Sequence, residues 1–208
     1  MDARSRSTAS SASATARPCR SGRSRGQANI SVRQFEPRRS ILLRTGRLEL
    51  AQLSDRDAEF VLGILNEPSF LRYIGDRGVR TLEDARRYVR DGPVAGYERD
   101  GHGLLRVSLK SDGTPIGICG VLKRETLPDP DLGFSFLPGY WSQGYAFEAA
   151  SAALRHAREE LGLGRILAVT THDNGPSIRL LGKLGFRFEC MTRMGDDPTE
   201  LRLFISES

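Results

Sequence analysis

Little in this chain points toward metals, membranes or covalent cross-links. Cysteine occurs three times, as Cys19, Cys119 and Cys190, far apart and never as CxxC. That spacing excludes a disulfide framework and a cysteine-built zinc site. His102, His156 and His172 are the only histidines, and none pairs at i, i+4 or as HxH, so no metal is expected. No apolar run approaches the roughly 18 residues that cross a bilayer. A membrane is therefore not among the expected partners, and the cytoplasm is the expected compartment. Also missing are the GxSxG elbow of serine hydrolases, the GxGxxG dinucleotide fingerprint and the Lys-Ser/Thr pair of a triphosphate loop. With a single tryptophan, Trp141, and scattered phenylalanines, there is no base-stacking platform.

The net charge of +5 is unevenly spread. Residues 1–40 hold nine arginines against Asp2 and Glu36, so they carry +7 and the remainder carries −2. The mildly acidic remainder argues against nucleic acid as its ligand. Residues 1–28 are mostly Ser, Ala, Arg and Thr, with too few apolar side chains to offset the entropy of ordering. We expect residues 1–40 to be a disordered basic leader, of a composition shared with transit peptides and RNA-binding arms, and residues 41–208 to form one domain.

Within that domain, Leu48, Leu50 and Leu53 suggest a strand. Ser54 with Asp57 opens a helix whose face carries Ala58, Val61, Leu62 and Leu65. Thr81 with Asp84 opens a second helix, expected to end near Asp91-Gly92-Pro93. Strands follow over 104–109 and 116–122, joined by the turn Ser111-Asp112-Gly113-Thr114, and over 131–137. A helical stripe of Ala150, Ala153, Leu154, Ala157 and Leu161 precedes a strand over 165–171. Asn174 then caps a helix that ends at Gly185, and strands over 186–194 and 201–205 close the chain. An antiparallel meander followed by strand–helix–strand–helix–strand is a mixed α/β architecture.

The sharpest segment is Gly139-Tyr140-Trp141-Ser142-Gln143-Gly144-Tyr145-Ala146-Phe147-Glu148-Ala149, between a strand and a helix. That placement offers backbone N–H groups at the positive end of a helix dipole, where an anionic diphosphate fits, and Gly144 and Ala146 are small enough for close approach. With Gly133-Phe134-Ser135-Phe136 before it, and Asn174-Gly175-Pro176-Ser177 and Lys183-Leu184-Gly185-Phe186 after it, the chain from about Ile41 to Ile205 resembles the GNAT superfamily. The likeness is to its ribosomal-protein N-terminal acetyltransferase (RimJ/RimL-type) branch.

The resemblance implies a mostly antiparallel, twisted sheet flanked by helices and splayed in its middle, with the pantetheine arm of acetyl-CoA in the opening. Backbone groups of Phe136 and Leu137 would bond that arm. Ser142, Gln143, Gly144, Tyr145 and Ala146 would cradle the pyrophosphate, and Asn174 would contact the pantetheine. The acetyl group would pass to a primary amine, on a protein N-terminus or a small molecule, by direct attack in a ternary complex. Asp131, or else Glu125, would accept the amine proton through water, and Ser177 would protonate or hydrogen-bond the thiolate. Two departures stand out. Trp141 occupies the position, three before the glycine, where the superfamily usually has Arg or Gln. Leu181 stands seven residues after Asn174, where many members carry a tyrosine as general acid. That leucine leaves open a second reading, a catalytically weak module that binds acetyl-CoA as a regulatory ligand. A homodimer is also compatible with the sequence.

Overall fold

The computed structural model describes residues 40–195 and 197–207. The expected leader, apart from Ser40, lies outside the described residues. Eight strands make one sheet in the order β1-β2-β3-β4-β5-β6-β8-β7: β1 (Ile41–Arg44), β2 (Leu48–Gln52), β3 (Leu105–Leu109), β4 (Pro115–Leu122), β5 (Asp131–Phe136), β6 (Arg165–Thr171), β7 (Arg187–Thr192) and β8 (Leu201–Glu207). All neighbours run antiparallel except β5 and β6.

Helices cover both faces. On one, α1 (Ala58–Leu65) and α3 (Leu82–Val89) bury Val61, Ile64, Leu65, Ala85 and Val89 together with Leu53 and Ile118 of the sheet. The short α2 (Pro68–Tyr73) lies between them in sequence. On the other face, α5 (Tyr145–Glu159) lays Ala149, Ala150, Ala153, Leu154 and Ala157 against Leu48, Leu50, Val107 and Ile166. Four alanines in that stripe let helix and sheet approach closely. The next helix, α6 (Gly175–Lys183), adds the fully buried Leu181 to the same core.

Both expected capping boxes form. The Asp57 carboxylate accepts from Ser54 N at 2.9 Å, and Asp84 N donates to Thr81 Oγ1 at 3.1 Å. The expected stop at Asp91-Gly92-Pro93 does not. The chain instead passes through a single π turn, Arg90–Val94, and continues as α4 (Ala95–Asp100). Proline breaks an α-helix because it lacks an N–H and crowds the preceding turn, and a local π turn relieves both faults. Tyr97 of α4 anchors the detour: its hydroxyl accepts from Leu53 N at 3.1 Å and donates to the Leu104 carbonyl. β1, which carries no alternation that would mark it, was not legible in the sequence.

The decisive feature lies mid-sheet. β4 and β5 pair over six positions, from Gly117 opposite Phe136 to Leu122 opposite Asp131, whereas β5 and β6 share the single pair Asp131–Leu167. Beyond that rung the two parallel strands diverge toward their C-terminal ends. At about 3.3 Å per residue, the unpaired stretch of β5 after Asp131 is roughly 16 Å long.

Candidate active site

Strand alternation fixes what lines this notch. Leu137 N donates to Ile116 O at 2.9 Å, across to β4, while Leu167 N donates to Pro130 O at 2.9 Å, across to β6. Odd-numbered residues of β5 therefore turn their backbone groups to β4, and Leu132, Phe134 and Phe136 turn theirs toward β6. Of the two residues read as lining the opening, Phe136 presents its N–H to the notch, but its carbonyl already accepts from Trp141 Nε1 at 2.6 Å. Leu137 has its N–H turned the other way. Phe134, which sequence reasoning passed over, offers both backbone groups, and only the register against β4 could have identified it. Side chains alternate too: Leu132, Phe134 and Phe136 join the α5-side core, so Asp131, Gly133 and Ser135 face α1 and α3.

Because β5 and β6 are parallel and each leads into a helix, the N-termini of α5 and α6 lie at the same end of the sheet, where the notch opens. α5 starts at Gly144 with no side chain capping it, so its first N–H groups (Tyr145, Ala146, Phe147) lack an intrahelical acceptor. Gly144 sits at φ 81°, and Ser142 at φ 60° is the one non-glycine described residue in the left-handed region. A strained serine beside an uncapped helix end suits an anion cradle. Ser142, Gln143 and Gly144 are all exposed, and Tyr145 and Ala146 half-buried.

A residue missed by the sequence reading holds this loop in place. Glu148, in the first turn of α5, receives Arg47 N at 2.8 Å, Arg47 Nε at 2.7 Å and the Thr45 hydroxyl at 2.5 Å. Arg47 also donates to the Gln143 carbonyl at 3.0 Å and stacks over the Tyr145 ring at 4.4 Å. Burial pushes the Glu148 carboxyl up, but these hydrogen bonds outweigh it and hold it below the usual range. The latch thus neutralises a carboxylate that would oppose an incoming phosphate, and nothing local to the loop announces it, since Arg47 is about a hundred residues away. We expect Arg47→Ala to raise the KM for acetyl-CoA about tenfold, some 1.4 kcal/mol of binding, with kcat within twofold of wild type. Steady-state titration of acetyl-CoA checks this.

At the other helix, Asn174 caps α6 as expected, its Oδ1 accepting from Ser177 N at 3.2 Å. Ser177 is half-buried in the first turn of α6, just after the chain reversal that follows β6. Leu181, one turn on, is 1% exposed, so the position that often carries a tyrosine is here part of the core. Arg72 of α2 ion-pairs with Asp173 at 3.0 Å, linking α2 to the β6–α6 turn.

Asp131 stands at the closed end of the notch with 0% exposure. Arg124 is its ion-pair partner, Nε to Oδ1 at 3.3 Å, and neither carboxyl oxygen accepts a well-formed hydrogen bond among the described residues. Burial pushes its pKa up to about 6, against the opposing pull of Arg124 and Lys123. Glu125, the other acid considered, is exposed in the β4–β5 loop. The α1 face also bears a cleft of about 800 Å³, bounded by Phe60, Ile64, Glu67, Arg106, Thr114 and Leu137. Among the described residues no His, Cys, Asp or Glu cluster is placed to share a metal ion, and no helix is long and apolar enough to cross a membrane.

Residues 47–187 match a family model described as an acetyltransferase (GNAT) domain. The chain is 30% identical over 154 residues to the uncharacterized N-acetyltransferase YoaA of Bacillus subtilis, covering 73% of this chain and 86% of that protein. It is similar to a solved acetyltransferase from Agrobacterium tumefaciens at 26% identity and a TM-score of 0.69, over 80% of this chain and 94% of that one. At 14% identity and a TM-score of 0.70, over 81% of this chain and 98% of the other, it shares its fold with RimL, a ribosomal-protein alpha-N-acetyltransferase solved with coenzyme A.

Proposed function

This chain belongs to the GNAT acetyltransferase family and is an acetyl-CoA-dependent N-acetyltransferase, and from that premise we propose that the acetyl group passes directly to a primary amine held on the α1/α3 face of β5. The single-rung junction of β5 and β6, with two helix N-termini at its open end, carries this reading.

The pyrophosphate rests on the N–H groups from Ser142 to Ala146, kept in position by Arg47 and Glu148. The pantetheine runs along β5 as a surrogate strand, bonding the backbone of Phe134 and the N–H of Phe136, with Asn174 on its other side. The thioester then lies near Gly133, two residues from Asp131 along β5. The amine nitrogen attacks the thioester carbonyl carbon, and a β5 amide stabilises the oxyanion. Asp131 takes the amine proton through water. The carbon–sulfur bond breaks, and the thiolate takes a proton from the Ser177 hydroxyl, which recovers it from solvent. With Leu181 buried in the core, Ser177 is the hydroxyl on α6 assigned to this step.

Acetyl-CoA turnover against a panel of amines, followed by released thiol, tests the reaction; a protein that binds acetyl-CoA and acetylates none of them would refute it. For Ser177→Ala we expect kcat to fall about 10-fold, below the usual range for a general acid because a thiolate leaves readily, with the KM for acetyl-CoA within twofold. An unchanged kcat returns Ser177 to a purely structural place in the α6 cap.

A further inference from the structure

Acetyl-CoA extends both ways from its diphosphate. The pantetheine runs into the notch, and the other arm is a ribose that carries adenine and a 3′-phosphate. A cavity of about 300 Å³ lies between α5 and α6, on the face of the sheet opposite the α1 cleft. It is bounded by Phe147, Ser151, Arg155 and Arg158 of α5 and by Lys183 and Leu184 at the end of α6.

Helical spacing orders this wall. Phe147, Ser151 and Arg155 are each four residues apart, so they form one row along α5, and the small Ser151 leaves space between the two long side chains. Phe147 directly follows Ala146, the last residue of the cradle, and is 43% exposed. Arg155 lies two turns on, about 12 Å along the axis, and helical side chains lean back toward the N-terminus. That lean brings its guanidinium within a nucleoside's length of the cradle.

The charges here are unspent. The Arg155 and Lys183 side chains make no hydrogen bond or ion pair among the described residues. Arg158 gives Nη2 to the Ser206 hydroxyl, and its buried Nε finds no acceptor among them. The one carboxylate on the wall, Glu159, forms no ion pair with these cations and lies about 18 Å from Phe147 along the axis. Three cations against one carboxylate leave a net charge of +2. A phosphate monoester, with about −1.5 to −2 at neutral pH, matches it. Guanidiniums take phosphates through paired N–H donors, and an exposed aromatic ring stacks on a base.

We propose that this cavity receives the 3′-phosphoadenosine end of acetyl-CoA, with Phe147 stacked on the adenine and Arg155 and Lys183 holding the ribose 3′-phosphate. The chain thereby selects coenzyme A over acyl carriers that lack this phosphate. This rests on the diphosphate placement proposed above and extends it to the far end of the cofactor.

The test titrates acetyl-CoA and its 3′-dephospho form into the full chain by calorimetry at one ionic strength. The two differ only in that phosphate, so the diphosphate cradle meets the same group in both. We expect acetyl-CoA to bind about tenfold more tightly or better, the gain from charge-assisted contacts to the phosphate. Arg155→Gln and Lys183→Gln together should weaken acetyl-CoA alone and bring the two affinities within about twofold of each other. Phe147→Ala should weaken both forms about fivefold, the loss of one stacked base, and leave their ratio unchanged. All three side chains are exposed, so the replacements leave the core untouched. Equal affinities in the wild type, or a ratio unmoved by the double replacement, would overturn the phosphate seat and leave the cradle standing. Phe147→Ala without effect on either form would remove the stacked adenine. Failure of both forms to bind would remove the cradle itself.

Discussion

Replacing Gly144 with glutamate is expected to weaken acetyl-CoA binding more than 100-fold in calorimetric titration. Two costs add. Gly144 holds φ at 81°, and a side chain there costs about 1–2 kcal/mol of backbone strain. A Cβ would also stand only 3.3 Å from Arg47 Nη2, crowding the guanidinium that holds the Gln143 carbonyl and the Glu148 carboxylate. The new carboxylate then occupies the mouth of the α5 N-terminus, where like charge against a phosphate costs about 3–4 kcal/mol at 4–5 Å in a partly buried setting. A factor of 100 needs only about 2.7 kcal/mol, so the two together exceed it. Gly144→Ala separates them, because it brings the strain without the charge and should lose about tenfold. Binding of acetyl-CoA undiminished in the glutamate variant would remove this loop from the cofactor site.

The second large effect belongs to Asp131. For Asp131→Asn we expect kcat to fall on the order of 100-fold, the lower part of what a positioned base contributes. The pH profile carries the sharper signature. Wild-type kcat/KM should climb through an apparent pKa near 6, the value to which burial lifts this carboxyl, and the asparagine variant should lack that limb. The same ionisation sets a stability dependence of opposite sense. Between the ordinary carboxyl value of 3.8 and about 6, the folded chain keeps a proton that the unfolded chain has released. Stability therefore falls as pH rises through that window and is flat above it, by on the order of 2–3 kcal/mol. The variant has no such slope. Thermal melts from pH 4 to pH 7 should move in its favour relative to wild type, even as its rate collapses. A variant whose melting difference does not change with pH would mean that Asp131 titrates normally, and its role as base would go with that.

The parts of the molecule legible in the sequence are those where one local pattern settles the outcome. The strand Arg165–Thr171 contains the apolar run Ile166-Leu167-Ala168-Val169. The Asn174 cap and the glycine at 185 bracket α6, where Phe186 N closes back on Leu181 O at 3.0 Å and Gly185 sits at φ 86°. The loop from Ser142 to Ala146 was readable because strand, glycine and helix follow one another without a gap. What escaped depends on partners remote in sequence. The order β6-β8-β7, with the last strand inserted between the two before it, has no local marker. Nor does the latch from Thr45 and Arg47 to Glu148, or the choice between Phe134 and Leu137 at the notch, which is a matter of backbone phase rather than residue type. Pro93 misled because a proline rule for α-helices does not extend to the π turn that accommodates it.

A sheet joined at one rung behaves as two plates on a pivot. The five strands from β1 to β5 form one plate and the three from β6 to β8 the other, and between them Asp131 and Leu167 are the one paired rung among the described residues. Opening along that seam is opposed not by backbone bonds but by the α5-side core, which packs Leu48 and Val107 together with Ile166 and Phe204. Asp131 sits at the pivot itself, so the angle between the plates governs how much water reaches its carboxyl. Any molecule that wedges the plates apart, or draws them together, thereby retunes the proton affinity of that one group without touching it.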